Sequence, residues 1–319
     1  MAFLNVREKT IVSVCCLTYN HVRYIRQCLD GIVMQKTKFP IEILIHDDAS
    51  TDGTQDVIRE YEEKYPDIIK PIYQKENQYS KGVRVSLVYN YPRANGKYIA
   101  ICEGDDYWTD PYKLQKQVDF LESHPDYVMC SHRFVIYNQS KDAFETIMPE
   151  NISEKGKTFE LKSLIEGEWY FQPLSIVFRR EALDMALYNQ YKCSKDLSMI
   201  YFLLKKGVGY CMYDVMGVYR RHQNGVWTGV DTNTKRFQNL LAKISIYNVE
   251  QTTNAALYIL GEFSSAMSRV WMLKHIRLFG NIVKIFFKHF GLRFTMKLFV
   301  KKFLFGKSHN PNCRPILLR

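Results

Sequence analysis

The sequence predicts an α/β fold with a largely parallel sheet and crossover helices, on three observations. Short apolar runs alternate from the start with segments of helical period. Several of those runs end in acidic or polar clusters. The 319 residues, 46% hydrophobic and 14% aromatic, suffice for a large core without a disulfide or zinc staple.

Ile11 to Leu17 reads as a buried strand ending at Thr18-Tyr19-Asn20. Val22, Ile25, Leu29, Ile32 and Val33 then recur at helical spacing, with Asn20 placed to cap. Ile41 to Ile45 is the second strand, closing in His46-Asp47-Asp48. Thr51-Asp52-Gly53-Thr54 turns the chain into a helix whose apolar face is Val57, Ile58 and Tyr61. Ile68 to Tyr73 and Tyr98 to Cys102 are the third and fourth strands. After the acidic turn Glu103-Gly104-Asp105-Asp106, Asp110-Pro111 reads as an N-cap with Pro at the first helical position, and Leu114, Val118 and Leu121 face inward. Tyr127 to Tyr137, Leu174 to Phe178 and the short Tyr210 to Tyr213 are further strands, with a surface insertion around Asn138 to Lys157. Asp196 opens a helix that stops at Gly207, and beyond residue 231 the reading is helical. The expected division is therefore 1–230 and 231–319.

Charge is uneven along the chain. Residues 263–319 carry 12 of the 44 Lys and Arg and no Asp or Glu, leaving 32 basic against 33 acidic residues before them. Lys274, Arg277, Asn281, Lys284 and Lys288 fall on one helical stripe, and Gly291 breaks that helix. Basic residues recur too often for a membrane-spanning helix. An in-plane amphipathic helix on a membrane surface fits better, and the continuous apolar face argues against a nucleic-acid partner. The eight cysteines include no C-x-x-C pair and read as reduced, buried thiols. MAFLNVREKT has no apolar region behind a basic one, so the expected location is cytoplasmic, peripheral on the inner face of the cell membrane.

Three carboxylates as close as Glu103, Asp105 and Asp106 repel one another unless a cation or strong donors compensate. Hard carboxylate oxygens suit Mg²⁺ or Mn²⁺, which keeps positions open for diphosphate oxygens. In an open α/β sheet ligands bind outside the carboxyl ends of the strands, where Tyr19, Asp48 and Asp106 converge. There is no G-x-x-x-x-G-K-[ST], and no G-x-G-x-x-G follows the first strand, which disfavours a phosphate-loop NTPase and a nicotinamide dehydrogenase.

VSVCCLTYN (12–20), IEILIHDDASTDGT (41–54), GKYIAICEGDDYW (96–108) and a later acid before a helix together resemble family 2 glycosyltransferases of the GT-A fold, over roughly residues 10–230. The resemblance implies that Tyr19 stacks on the base, Asp48 hydrogen-bonds it, Asp105 lies on the ribose side and Asp106 on the metal. It also implies that Asp196 is the catalytic base of an inverting transfer, deprotonating the acceptor hydroxyl. His222, beside Arg220 and Arg221, matches a position facing the metal or diphosphate, and Trp108 is expected on the donor-site rim. The basic stretch after the third strand departs from the family: Asn77 and Gly82 are recognisable, but Arg84 and Arg93 are out of pattern. The implied function is transfer from a nucleotide sugar, UDP-linked, to a saccharide acceptor, lipid-linked, in surface polysaccharide synthesis. Alternatives are transfer to a polyprenyl phosphate and a non-catalytic nucleotide-sugar-binding membrane protein.

Overall fold

The computed structural model describes residues 9–193, 196–225, 228–266 and 276–304. The backbone packs as two compact units. One comprises the chain up to 161 with 169–189 and 199–229; the other comprises 162–168, 190–198 and the chain from 230 onward.

The first unit is built on a twisted α/β sheet of the GT-A kind. Strands β1 (Val12–Thr18), β2 (Ile41–Asp47), β3 (Ile69–Tyr73) and β4 (Tyr98–Ile101) are parallel, in the order β3-β2-β1-β4. Alternate residues of these strands, Val12, Val14, Cys16, Ile43, Ile45, Tyr98 and Ala100, are buried in one apolar cluster with the helices packed on that face. Helix Ile25–Val33 buries Ile25, Leu29 and Ile32, helix Thr54–Lys64 buries Val57, Ile58 and Tyr61, and helix Lys113–Ser123 buries Leu114, Val118 and Leu121. Each such aliphatic side chain contributes about 1.5–3 kcal/mol of burial.

Beyond β4 the sheet changes direction. β9 (Val177–Arg179) is antiparallel to both β4 and β6 (Tyr127–Asn138). β10 (Val208–Arg221) runs parallel to β6 and carries the two-residue β5 (Tyr107–Trp108) antiparallel on its far side. β7 (Ala143–Met148) forms a hairpin with β6, and β8 (Lys157–Phe159) pairs with the start of β10.

Four local expectations change. Asn20 does not cap the first helix: it takes φ 55°, its side-chain oxygen accepts from Thr51 N at 2.9 Å, and the helix starts five residues later. Asp110 accepts from Tyr112 N at 2.7 Å, but the helix proper begins at Lys113. Pro173–Ser175 is a 3₁₀ turn ahead of β9, so the strand near Leu174 is shorter and later. The strand near Tyr210 is 14 residues long and includes Val218 to Arg221.

In the second unit, helices Thr232–Glu250, Thr253–Ala266 and Ile276–Leu304 follow one another. Asp231 Oδ1 caps the first of them, accepting from Asn233 N and Thr234 N at 2.9 and 3.1 Å. On the last, Ile282, Ile285 and Phe286 are buried while Arg277, Asn281, Lys284 and Lys288 are exposed; Lys274 lies outside the described residues. Gly291 interrupts the helix at φ 78°, ψ 167°. Among the described residues no helix is long and apolar enough to cross a membrane.

Candidate active site

The loops after β1, β2 and β4 leave the same end of the parallel sheet, because the register sets Thr18 beside Asp47 and Cys15 beside Ile101. The first two are laced together: Asn20 N donates to Ser50 Oγ at 2.8 Å, His21 N to Thr54 Oγ1 at 2.8 Å and Val22 N to Asp52 Oδ2 at 3.0 Å. Tyr19 stands clear of this mesh, 45% exposed, as a stacking platform requires. Asp48 is buried, and its two oxygens accept from Gln78 N at 2.8 Å and Tyr79 N at 2.9 Å. It therefore ties the loop after β3 to the end of β2; Oδ1 also lies 3.4 Å from His46 Nε2, and Oδ2 keeps a second lone pair.

The acidic turn is pinned from two sides. Gly104 N donates to Leu17 O at 2.8 Å. A Cβ on Gly104 would stand 2.7 Å from Thr18 Oγ1 and 3.1 Å from His21 Nδ1, so only glycine fits there. From the other side, the antiparallel pairing of Gly217 with Trp108 and Val218 with Tyr107 sends residues 220–222 back past the turn. Arg220 N donates to Asp106 Oδ1 at 2.8 Å, and its Nε donates to Asp105 O at 2.9 Å. Its guanidinium also reaches Gln27 Oε1 (2.6 Å) and Gln139 Oε1 (3.1 Å) and lies 4.8 Å from the Tyr24 ring centroid. Arg220 is a buried clamp on the turn. Arg221 is exposed and pairs with Glu145 at 3.1 Å.

His222 is 2% exposed, packed against Tyr24 with ring centroids 4.7 Å apart. Its Nε2 lies 3.0 Å from Asp105 Oδ2, and His21 Nε2 lies 3.9 Å from the same oxygen. His222 thus meets Asp105, where the sequence reading joined it to Asp106 through a metal. Two sets of ligand-type atoms gather within 4.8 Å of one another: His21, Asp105 and His222; and Glu103, Asp105 and Asp106. Asp106 Oδ2 is buried without a hydrogen-bond partner among the described residues. Burial, then Asp105 and Glu103, push the Asp106 carboxyl well above the usual carboxylate range. Burial acts the same way on Asp105, but the His222 hydrogen bond and His21 outweigh it and hold that group low. His21 is pulled below the usual imidazole range by burial, against the attraction of Asp105. A buried carboxyl with an unmatched oxygen, set beside two further carboxyls, fits a divalent cation, whose charge offsets the cost of burying and crowding the carboxylates.

The remaining expectations divide. Trp108 is not on a rim: it is 2% exposed and its Nε1 donates to Leu174 O at 2.8 Å, because alternation along β5 turns it into the core. Arg84 donates to Asn189 O at 2.9 Å, and Arg93 to Ile45 O at 2.8 Å and Lys70 O at 2.9 Å, so both serve the protein's own carbonyls. Asp196 is exposed at the first position of helix Asp196–Leu204. Trp227 lies outside the described residues. His21 had no assigned role in the sequence reading; its signal was its place in TYNH, directly after the platform tyrosine.

The model of the family described as Glycosyl transferase family 2 matches residues 13–186, a span that ends before Asp196, Arg220 and His222. An uncharacterized protein of Mycobacterium bovis is 36% identical over 238 residues, 71% of this chain and 63% of its own length. TuaG of Bacillus subtilis, named as a teichuronic acid biosynthesis glycosyltransferase, is 29% identical over 68% of this chain and 82% of its own. Residues 1–349 of S. aureus TarS, crystallised with UDP, superpose with a TM-score of 0.60 at 15% identity, covering 94% of this chain and 93% of that one. The chain spans under two thirds of the mycobacterial relative's length.

Proposed function

Because the chain belongs to glycosyl transferase family 2, whose model covers more than half of it, we propose that it is an inverting glycosyltransferase. It moves a sugar from a nucleoside-diphosphate sugar, UDP-linked, to a hydroxyl of a lipid-linked saccharide in surface polysaccharide synthesis. The observation that carries this reading is the acidic turn at the end of β4, where Asp106 is buried with an unmatched oxygen beside Asp105 and Glu103. That is a place for a cation and the diphosphate it would hold. The names of TuaG and of the UDP-bound TarS support the class of product and the base.

In this reading the base stacks on Tyr19 and is read beside Asp48, Asp105 faces the ribose, and the acidic turn with His222 holds Mg²⁺ or Mn²⁺. The cation, when bound, offsets negative charge on the departing diphosphate. The clamp of Arg220 on Asp105 and Asp106 keeps the turn rigid for that task. Asp196 takes the proton of the attacking hydroxyl, and one base suffices because inversion needs no covalent intermediate. Residues 1–230 form the transferase domain. Residues 231–319 hold it against the leaflet that carries the acceptor, with exposed Arg277, Lys284 and Lys288 toward anionic headgroups.

The test is transfer from radiolabelled UDP-sugars to lipid-linked saccharide. Asp196→Asn is expected to lower kcat about 10²–10⁴-fold while leaving donor affinity unchanged. A variant that turns over like the parent removes Asp196 as the base. A parent protein that transfers from no nucleotide sugar removes the function.

A further inference from the structure

A donor whose base sits at the ends of β1 and β2 reaches the acidic turn after β4 with its diphosphate. In the sheet order β3-β2-β1-β4-β9-β6-β10, strands β6 and β10, and the β7 that pairs with β6, lie on the other side of β4 from the base. That side is left to a second substrate.

A row of side chains crosses these strands from the turn to open water. Register sets Tyr137 of β6 beside Arg220 of β10 on one flank and beside Phe144 of β7 on the other. Directly opposed residues share a face of the sheet. The Arg220 guanidinium accordingly lies 5.7 Å from the Tyr137 ring centroid, and that ring lies 5.1 Å from the Phe144 ring. The row begins at the turn, where Arg220 N holds Asp106 and its Nε the Asp105 carbonyl. It ends at Phe144, which is 60% exposed. Next along β7, Ile147 opposes Val135, so β7 carries one more residue than β6 over this interval. A bulge of that kind re-aims side chains and puts Ile147 on the face of Phe144; Ile147 is exposed as well. The apolar strip has a polar rim. Glu145 accepts from Asn138 Nδ2 at 2.9 Å, Lys141 Nζ at 3.1 Å and Arg221 Nη1 at 3.1 Å, and Tyr137 donates its hydroxyl proton to Asp142. A pyranose has the matching two-sided chemistry: an apolar C–H face for the ring, and hydroxyls for the amide, carboxylate and cations around it. An alkyl chain has no use for the rim.

We propose that Phe144 is the platform on which a sugar ring of the saccharide acceptor stacks, with Tyr137 as the positioning residue behind it. The inference rests on the glycosyltransferase reading and names where that enzyme takes its second substrate. No bond is made or broken there: the platform binds the acceptor and selects it by the shape of its C–H face.

The experiment uses the full chain carrying Phe144→Trp, whose indole reports on the platform by its fluorescence. The parent, with its four tryptophans, supplies the background. With UDP present, the variant is titrated with octyl glycosides of glucose, galactose and N-acetylglucosamine, and with octyl tetraethylene glycol as a sugarless control. A saturable change in emission with at least one glycoside, and none with the control, is expected. The same glycosides serve as acceptors for radiolabelled UDP-sugars. Phe144→Ala and Phe144→Leu are expected to raise the acceptor KM about tenfold, the loss of one stacked ring, with a smaller change in kcat, whereas Phe144→Tyr stays within about twofold of the parent. A ring needed only for packing is replaced well by Leu; a stacking ring is not. No emission response to any glycoside overturns the proposal, and so does an equal response to the sugarless control, which would make the strip a lipid site. A Phe144→Leu protein with parental acceptor KM also overturns it. UDP affinity, measured by calorimetry, keeps the two readings apart. Parental UDP binding beside a silent platform defeats only the platform. A saturable glycoside response in a protein that neither binds UDP nor transfers from a UDP-sugar leaves a saccharide site and defeats the enzymatic reading.

Discussion

Lys113 is wholly buried in the first unit, its Nζ 4.1 Å from the Trp108 ring centroid and donating to Gln117 Oε1 at 2.7 Å. Burial pulls its pKa down to about 7, far below that of an unfolded-state lysine. Below pH 7 both states hold the proton, so the folded state bears the full cost of a buried cation. As pH climbs from 7 toward the unfolded value, only the unfolded state still binds the proton, and that cost fades. Lys113→Met is therefore expected to stabilise by about 2–4 kcal/mol at pH 6 after allowing for an orphaned Gln117 oxygen. The gain shrinks through alkaline pH, as urea unfolding at successive pH values will record. A gain independent of pH refutes the buried charge. Residue-scale features such as this were the least legible in the sequence. Trp108 and Tyr107 read alike beside the acids, yet the period of two sends one to the core and leaves the other beside Arg220, 5.2 Å from its guanidinium. His21 acquires meaning only once Asn20 reverses the backbone.

At the scale of elements, the parallel strands were legible because each is rich in apolar, largely β-branched residues and most close in polar ones, and β1 to β4 fall within a residue or two of their expected limits. β10 was not. Its middle residues Tyr213, Asp214 and Val215 are exposed and its register with β6 shifts near them, so it read as a short strand and an unrelated loop. β5 is too short for any pattern, though it directs β10 to the acidic turn. β7 lay unnoticed in what read as a surface insertion. The convergence of Tyr19, Asp48 and the acidic turn at one sheet end followed from topology alone; the clamp did not, because it joins a backbone amide to Asp106 and a guanidinium to a backbone carbonyl of the turn. The same turn yields a test of packing. Gly104→Ala places a methyl carbon 2.7 Å from Thr18 Oγ1 and is expected to cost about 1–3 kcal/mol in thermal unfolding, while displacing His21 and lowering metal affinity. An alanine variant with the parental melting temperature and metal affinity would show that the turn can yield.

At the scale of the whole molecule, the near-neutral first 262 residues and the basic remainder were plain from counting. Replacing Arg277, Lys284 and Lys288 together by Gln is expected to weaken sedimentation with phosphatidylglycerol-containing vesicles on the order of 100-fold, at about 1 kcal/mol per basic side chain near the surface. Vesicles of phosphatidylcholine alone should show little difference. Parental sedimentation of the triple variant removes the electrostatic docking. Substitution is the right instrument because of how the chain is threaded. The second unit includes residues 162–168 and 190–198; Tyr191 donates its hydroxyl proton to Glu250, and Cys193 N donates to Ser245 Oγ at 3.1 Å. Scissors applied at residue 230 would strand those two inner segments without their partners. Neither half is a detachable module, and fusion or shuffling at that junction would inherit two frayed stretches inside the portion retained.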